Sequence, residues 1–231
     1  MSSLVEIGPF IPGLLRAALI NIQLLVALIA VGFVVGTLVA LLQVYGGRFF
    51  GALASVYEWV FRSIPALVLL FLFYYGPPRF GFSITPFVAA TMALGFRSSA
   101  YQSQIFRGAI QCVSSGQMMA ARSMGMSRVR AIFSIILPQA LRLSIPGWTN
   151  EFSSVVKDTT LAYVVGFNEI MRNARIIMDS NYSLAMLAFI AVALVFLLLT
   201  SAGNGLMGLV ERRLRIPGLQ MPGSGSGDHS R

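Results

Sequence analysis

Met119 to Pro138 reads MAARSMGMSRVRAIFSIILP, a short, basic, amphipathic stretch set between segments that are otherwise apolar enough for a membrane. Arg122, Arg128 and Arg130 lie in it, Ala120 and Ala121 stand just ahead of Gly125, and Leu137 and Pro138 close it before the next apolar run. Ser115 is placed to cap a helix that ends before Gly125, and Ser127 to cap a second that runs into Ile135. The stretch therefore reads as two short helices joined by a glycine turn, the kind of loop that docks a soluble partner.

The surrounding composition demands a membrane. Hydrophobic residues make up 56% of the chain and charged residues 11%, against roughly 25% charged in ordinary soluble domains. Ala17 to Gly47 and Ser180 to Val210 carry no charged side chain, and each exceeds the ~20 residues that a helix needs to cross ~30 Å of hydrocarbon. The net charge of +9 is scattered between apolar runs without a basic stripe or interleaved aromatics, so nucleic acid is excluded as a partner. Topology accounts for it: the central arginines and Arg212, Arg213 and Arg215 after the last span belong in the cytoplasm by the positive-inside rule. An odd number of spans then leaves the N-terminus outside.

Five helices are expected in all. The first covers about Leu14 to Leu42, where Gly32, Gly36 and Ala40 form a small-residue stripe suited to close packing. The second starts around Val56, passes Phe61 to Pro65 and ends at Gly76, Pro77 and Pro78. The third begins in the run Ile84 to Phe96 and continues through Ser98, Tyr101, Gln102, Gln104 and Arg107, a polar half that lipid would not tolerate and that must face protein or water. The fourth re-enters at Ile135 with Pro138 and Pro146 expected to kink it, and the fifth covers Tyr182 to Val210. Phe167 to Asn181 reads as an external segment, and no internal repeat is visible.

Residues 1–13 are expected as an external segment with no signal peptide, 14–213 as the transmembrane domain with its loop at about 114–134, and 214–231 as a disordered Gly-Ser tail or a cloning remnant. The single Cys112 permits no intramolecular disulfide and is expected in the core.

Tyr57 to Pro65 (YEWVFRSIP), Gln104 to Gln117 (QIFRGAIQCVSSGQ), the central loop with its AA-x3-G-x9-I-x-LP spacing, and Asn150 to Leu161 (NEFSSVVKDTTL) occur in this order. Together they resemble the permease subunits of polar amino-acid ABC importers, the His/Glu/Gln/Arg/opine group, and the central loop resembles their "EAA" loop. The resemblance implies an all-α type I importer fold with five transmembrane helices in a prokaryotic inner membrane. It implies a second permease subunit, identical or sister, a cytoplasmic ATPase dimer carrying ATP and Mg, an external solute-binding protein and an amino-acid substrate. It makes Met119, Ala120, Ala121, Gly125, Leu137 and Pro138 the residues that couple to the ATPase. Two positions depart from the family: Met119 and Gln104 each stand where a glutamate is usual.

No Walker A motif exists here, because the only lysine, Lys157, follows Val156, so the energy must come from a partner. His229 is the sole histidine and lies in the tail, which excludes His-based triads and HExxH zinc sites. No catalytic or metal-ligating set is expected. If the fourth span is helical at Glu151, Ser154 and Asp158 follow at i+3 and i+7 on one face, with Lys157 in an adjoining polar stripe. Ionisable groups at that depth are costly unless paired or hydrated. Two acids and one base suit a zwitterion in a pathway; equally, Lys157 can neutralise Glu151 or Asp158 inside the bundle. Arg62 and Arg107 near the membrane boundaries can snorkel or pair, Arg62 with Glu58 for example, or gate the pathway together with Gln104. Alternatives to the permease reading are a membrane scaffold that anchors a cytoplasmic partner, or the same machinery with another cargo.

Overall fold

The structure, a computed structural model, describes residues 8–214. The expected Gly-Ser tail, Arg215 and the first seven residues lie outside the described residues. Within them the chain is helical throughout, with no strand.

Helix α1 (Ile11–Tyr45) starts with Pro12 in its first turn, where a missing N–H costs nothing. The small-residue stripe expected on it is its packing face. A Cβ on Gly36 would lie 2.9 Å from the Ser99 carbonyl oxygen, and one on Gly32 would overlap the Gln102 amide, so only glycine admits the helix Pro86–Cys112 at this distance.

The second expected span is two helices. Helix α2 (Gly47–Ser63) begins nine residues before the expected start at Val56, and α3 (Ala66–Tyr75) follows a 103° bend. The bend has a local cause: Pro65 drives Ile64 into the extended region, at φ −82° and ψ 131°. Helix α2 is amphipathic, and its apolar side chains Phe49, Leu53, Val56 and Trp59 remain exposed.

Helix α4 (Pro86–Cys112) is capped by Thr85 and carries the polar half foreseen above. Ser98, Ser99, Gln102 and Ser103 are buried against protein, as lipid intolerance requires. Cys112 corrects the sequence reading: it is exposed at the last turn of α4, because the helix ends there and its final face has no neighbour.

Helices α5 (Ser115–Ser123) and α6 (Arg128–Ala131) make the central loop, and a π turn (Ile132–Ile136) leads into α7 (Leu137–Asp158). The wide turn lies directly ahead of Pro138, which lacks the N–H that an α turn would use. Helix α7 runs unbroken through Pro146 and continues as a 3-10 turn, Thr159–Val165. The stretch expected to be external contains helix α8 (Ile170–Ser180), and α9 (Ala185–Leu214) ends the described chain.

Three stretches, Gly8–Tyr45, Arg128–Val165 and Tyr182–Leu214, are long and apolar enough to cross a membrane, and the bent pair α2–α3 makes a fourth if taken as one span. Buried apolar residues gather in three clusters, around Leu24, Leu28 and Leu70, around Ala17, Ile170 and Ala188, and around Phe106, Ile136 and Ala140. Leu15, Leu19, Val26, Leu194, Leu197 and Leu198 stay exposed on outer faces, where hydrocarbon replaces protein as solvent.

Candidate functional site

Helices α4 and α7 bring the chain's charged membrane residues together. Arg97 Nη1 donates to Asp158 Oδ2 at 2.7 Å. One residue along α4, Ser98 Oγ donates to Glu151 Oε1 at 2.9 Å. The i, i+7 spacing on α7 thus meets consecutive residues of α4. Behind Ser98 the bonds continue inward: Gln102 Nε2 donates to Ser98 Oγ at 3.1 Å, and Trp148 Nε1 donates to Gln102 Oε1 at 2.8 Å. Glu151 is therefore held by a chain of neutral donors, while Asp158 is held by a cation. The Arg97 and Asp158 side chains remain 24% and 30% exposed, so both are reachable from the open side.

That open side is flanked by α2 and Tyr101. The Tyr101 ring lies under two guanidinium groups, with Arg97 at 4.9 Å and Arg62 at 5.1 Å from its centroid, a favourable placement of cations over an aromatic face. Arg62 also forms an ion pair with Glu58 one turn earlier. Glu58, Trp59, Arg62, Ser63 and Tyr101 line a pocket of about 350 Å³ beside this stack.

Lys157 stands apart. It is exposed and makes no ion pair among the described residues, and Asp158, one of the two acids it could have neutralised, pairs with Arg97 in its place. Helical geometry explains the exchange: one residue before Asp158, Lys157 projects about 100° away from the face that meets α4. Ser154 donates within its own helix, to the Asn150 carbonyl at 3.4 Å. Gln104 donates to Gln43 Oε1 of α1 at 3.2 Å, and Arg107 is half-buried on α4.

The central loop is a tight, capped corner. Ser114, not Ser115, is the cap of α5: its Oγ accepts from Gly116 N at 3.3 Å because Ser114 is the last extended residue before the helix. Gly125 has φ +80°, the left-handed region that glycine enters without strain. Met126 N donates to the Ala121 carbonyl at 3.1 Å across this turn, and Arg122 Nη1 ties the same turn at Met126 O, 2.9 Å. Ser127 caps α6 as expected, accepting from Arg130 N at 3.2 Å. Ala121 and Ala131 are buried inside the corner, whereas Ala120, Met119, Met124, Val129 and Phe133 present an exposed, mostly apolar surface. Leu137 is half-buried and Pro138 exposed at its far end.

Sequence reading passed over two elements of this arrangement. Arg97 lies between Phe96 and Ser98 in the polar half of α4, and its signal was its position at the very point where the apolar run stops. The second is a buried polar knot. Asn21 Nδ2 donates to Thr159 Oγ1 at 3.0 Å and to Glu169 Oε2 at 3.4 Å, and Asn21 Oδ1 accepts from Ile170 N at 3.0 Å. Glu169 caps α8, accepting from Met171 N at 2.9 Å and Arg172 N at 2.7 Å. Burial pushes the Glu169 carboxyl up from its ordinary 4.5 to about 6, with the Met171 and Arg172 N–H groups and Asn21 opposing the rise. The single asparagine of the charge-free first span was the available signal. Among the described residues no three His, Cys, Asp or Glu side chains gather as a metal site.

Comparison with known proteins agrees with this architecture. The chain is 34% identical over 210 residues to the nopaline transport system permease protein NocM of Agrobacterium fabrum, covering 87% of each. It is 32% identical over 212 residues to the glutamine transport system permease protein GlnP of Escherichia coli, covering 91% of this chain and 96% of that one. A crystal structure of an amino acid ABC transporter with histidines superposes with a TM-score of 0.80 at 32% identity, over 90% of this chain and 97% of that chain. A MetNI methionine ABC transporter chain, 17% identical with a TM-score of 0.66, shares the fold. Residues 8–216 match the family described as binding-protein-dependent transport system inner membrane component. With its helical bundle and its capped central loop, the chain belongs to that family of ABC transporter permease subunits, a multi-pass component of the inner membrane.

Proposed function

We propose that this chain forms the translocation pathway of an ATP-driven importer for a polar amino acid. Five crossings are assigned, α1, the bent pair α2–α3, α4, α7 and α9, with the N-terminus outside and the α9 end in the cytoplasm. The tail arginines and the arginines of the central loop support that orientation. The relatives named for glutamine and nopaline support the cargo class.

The observation that carries the reading is the Arg97–Asp158 pair beside Glu151. A zwitterion brings one carboxylate and one ammonium. Arg97 presents a planar fork suited to the first, and Glu151 and Asp158 present acceptors for the second. Substrate that exchanges with the internal pair loses no charge compensation, which lowers the cost of moving a zwitterion through a low-dielectric path. Ser154 and Lys157 flank this path on α7, and Arg62, Gln104 and Arg107 border it.

The central loop receives the stroke. Met119, Ala120, Ala121, Gly125, Leu137 and Pro138 form or flank the corner that docks on an ATPase dimer, which carries ATP and Mg. A solute-binding protein delivers substrate outside, and a second permease subunit completes the path. The test is uptake of labelled glutamine, arginine and histidine by the reconstituted complex, with ATPase turnover followed in parallel. Glu151→Gln and Asp158→Asn are expected to abolish uptake while the complex still assembles. Unimpaired uptake in both would overturn the pathway assignment.

A further inference from the structure

Helices α7 and α9 meet closely at one level and separate below it. Ser153 Oγ bonds Asn204 Oδ1 at 2.6 Å, and Gly203 leaves room for the Phe152 ring, which a Cβ there would strike. The two helices run antiparallel, so about eleven residues down each, roughly 16 Å at 1.5 Å per residue, brings Arg142 of α7 level with the end of α9. Between them opens a groove of about 740 Å³ whose walls are apolar, floored by α1 side chains such as Ile29 and Phe33 and ending at Arg142 and Leu214.

The geometry points to a bound anionic glycerophospholipid in this groove, one acyl chain along α1 and its phosphate at Arg142. The assignment of the Arg142 end to the cytoplasmic leaflet rests on the topology proposed above. Length supports the occupant, since ~16 Å matches one leaflet of a ~30 Å hydrocarbon core. Wall chemistry supports it too, for the surface exposed along the groove is apolar, with Arg142 contributing its stem, and gives a helix carrying a polar face nothing to bind.

Charge selects the headgroup. Arg142 lines the groove, and Arg212 and Arg213 stand on the last turn of α9 beside Leu214; all three are exposed and unpaired among the described residues. Glu211 is the one acid on that turn, which leaves an excess of cations at the mouth. Basic pockets between transmembrane helices on the cytoplasmic side recognise anionic headgroups in this way. The neighbouring faces contribute no further charged group to the lining.

The test uses the complete transporter in nanodiscs of phosphatidylcholine with or without phosphatidylglycerol. Retained lipid is read by native mass spectrometry, and binding-protein-stimulated ATPase activity is read on the same sample. Wild type is expected to retain phosphatidylglycerol over phosphatidylcholine. Arg142→Gln and the triple change Arg142→Gln, Arg212→Gln, Arg213→Gln are expected to reduce that retention tenfold or more, and Ala30→Phe, which fills the groove, to remove it with the arginines intact. Equal retention of both lipids, or phosphatidylglycerol unaffected by these variants, would overturn the site. So would a cross-link from Val34→Cys, in a Cys112→Ser background, to a second permease copy, because a protein helix would then fill the groove. Loss of lipid selectivity with stimulated ATPase activity preserved separates failure of this site from failure of the transporter reading.

Discussion

Arg97 and Asp158 are joined at 2.7 Å across 61 positions of sequence, and this bond ties α4 to α7 where both carry their polar faces. Removing either partner leaves the other charge without compensation. For a pair this accessible the loss is expected at about 1–2 kcal/mol, below the ~3–5 kcal/mol of a fully buried pair. Arg97→Gln and Asp158→Asn should each lower the melting temperature of the purified protein. The reversed pair, Arg97→Asp with Asp158→Arg, should recover the melting temperature without recovering uptake, since the ligand would meet its charges in the wrong places. Recovery of both would make the pair purely structural.

The approach of α1 to α4 leads to a second expectation. Because a Cβ on Gly36 would sit 2.9 Å from the Ser99 carbonyl oxygen and 3.1 Å from Gln102 Cβ, Gly36→Leu must push the helices apart. Overpacking of this kind costs about 1–3 kcal/mol. Thermal melting in detergent checks it, and an unchanged transition would show that the interface yields freely.

At the central loop the turn and the surface separate. Gly125→Ala should cost about 1–2 kcal/mol for a side chain in the left-handed region, and Gly125→Asp should also abolish transport and co-purification of the ATPase. Met119 is 66% exposed, so Met119→Glu should change stability by less than about 0.5 kcal/mol while altering only retention of the ATPase. Pull-down of the ATPase at matched expression distinguishes the two effects. Retained coupling in Gly125→Asp would remove the loop from the mechanism.

The Glu169 carboxyl sets a pH dependence. Its folded value of about 6 lies above its ordinary 4.5, so the folded state binds the extra proton between these limits and stability falls as pH rises through that window. Above about pH 6 the contribution of this group is level. Melting curves from pH 4.5 to 7 should show the decline in wild type and a flatter profile in Glu169→Gln. A decline of equal size in the variant would assign it to another group.

Reading the chain from its residues went furthest where the determining physics is local. The charge-free spans, the glycine turn at Gly125, the Ser127 cap and the one-face spacing of Glu151 and Asp158 follow from hydropathy, φ preference and helical period. The start of α2 at Gly47 and the shift of the cap from Ser115 to Ser114 are differences of boundary set by backbone geometry, whereas the exposure of Cys112 depends on what packs against the end of α4.

Hydropathy adds residue by residue and needs no partner, so the sequence by itself determined that this chain lives in a membrane and turns a basic corner at Met119 to Pro138. Ion pairing is different. That Asp158 meets Arg97 while adjacent Lys157 faces outward, and that Asn21 closes on Glu169 across 148 positions, depends on which helix faces pack together. Only the tertiary structure decided that, because buried polar groups take the partner that packing delivers, not the one nearest in sequence.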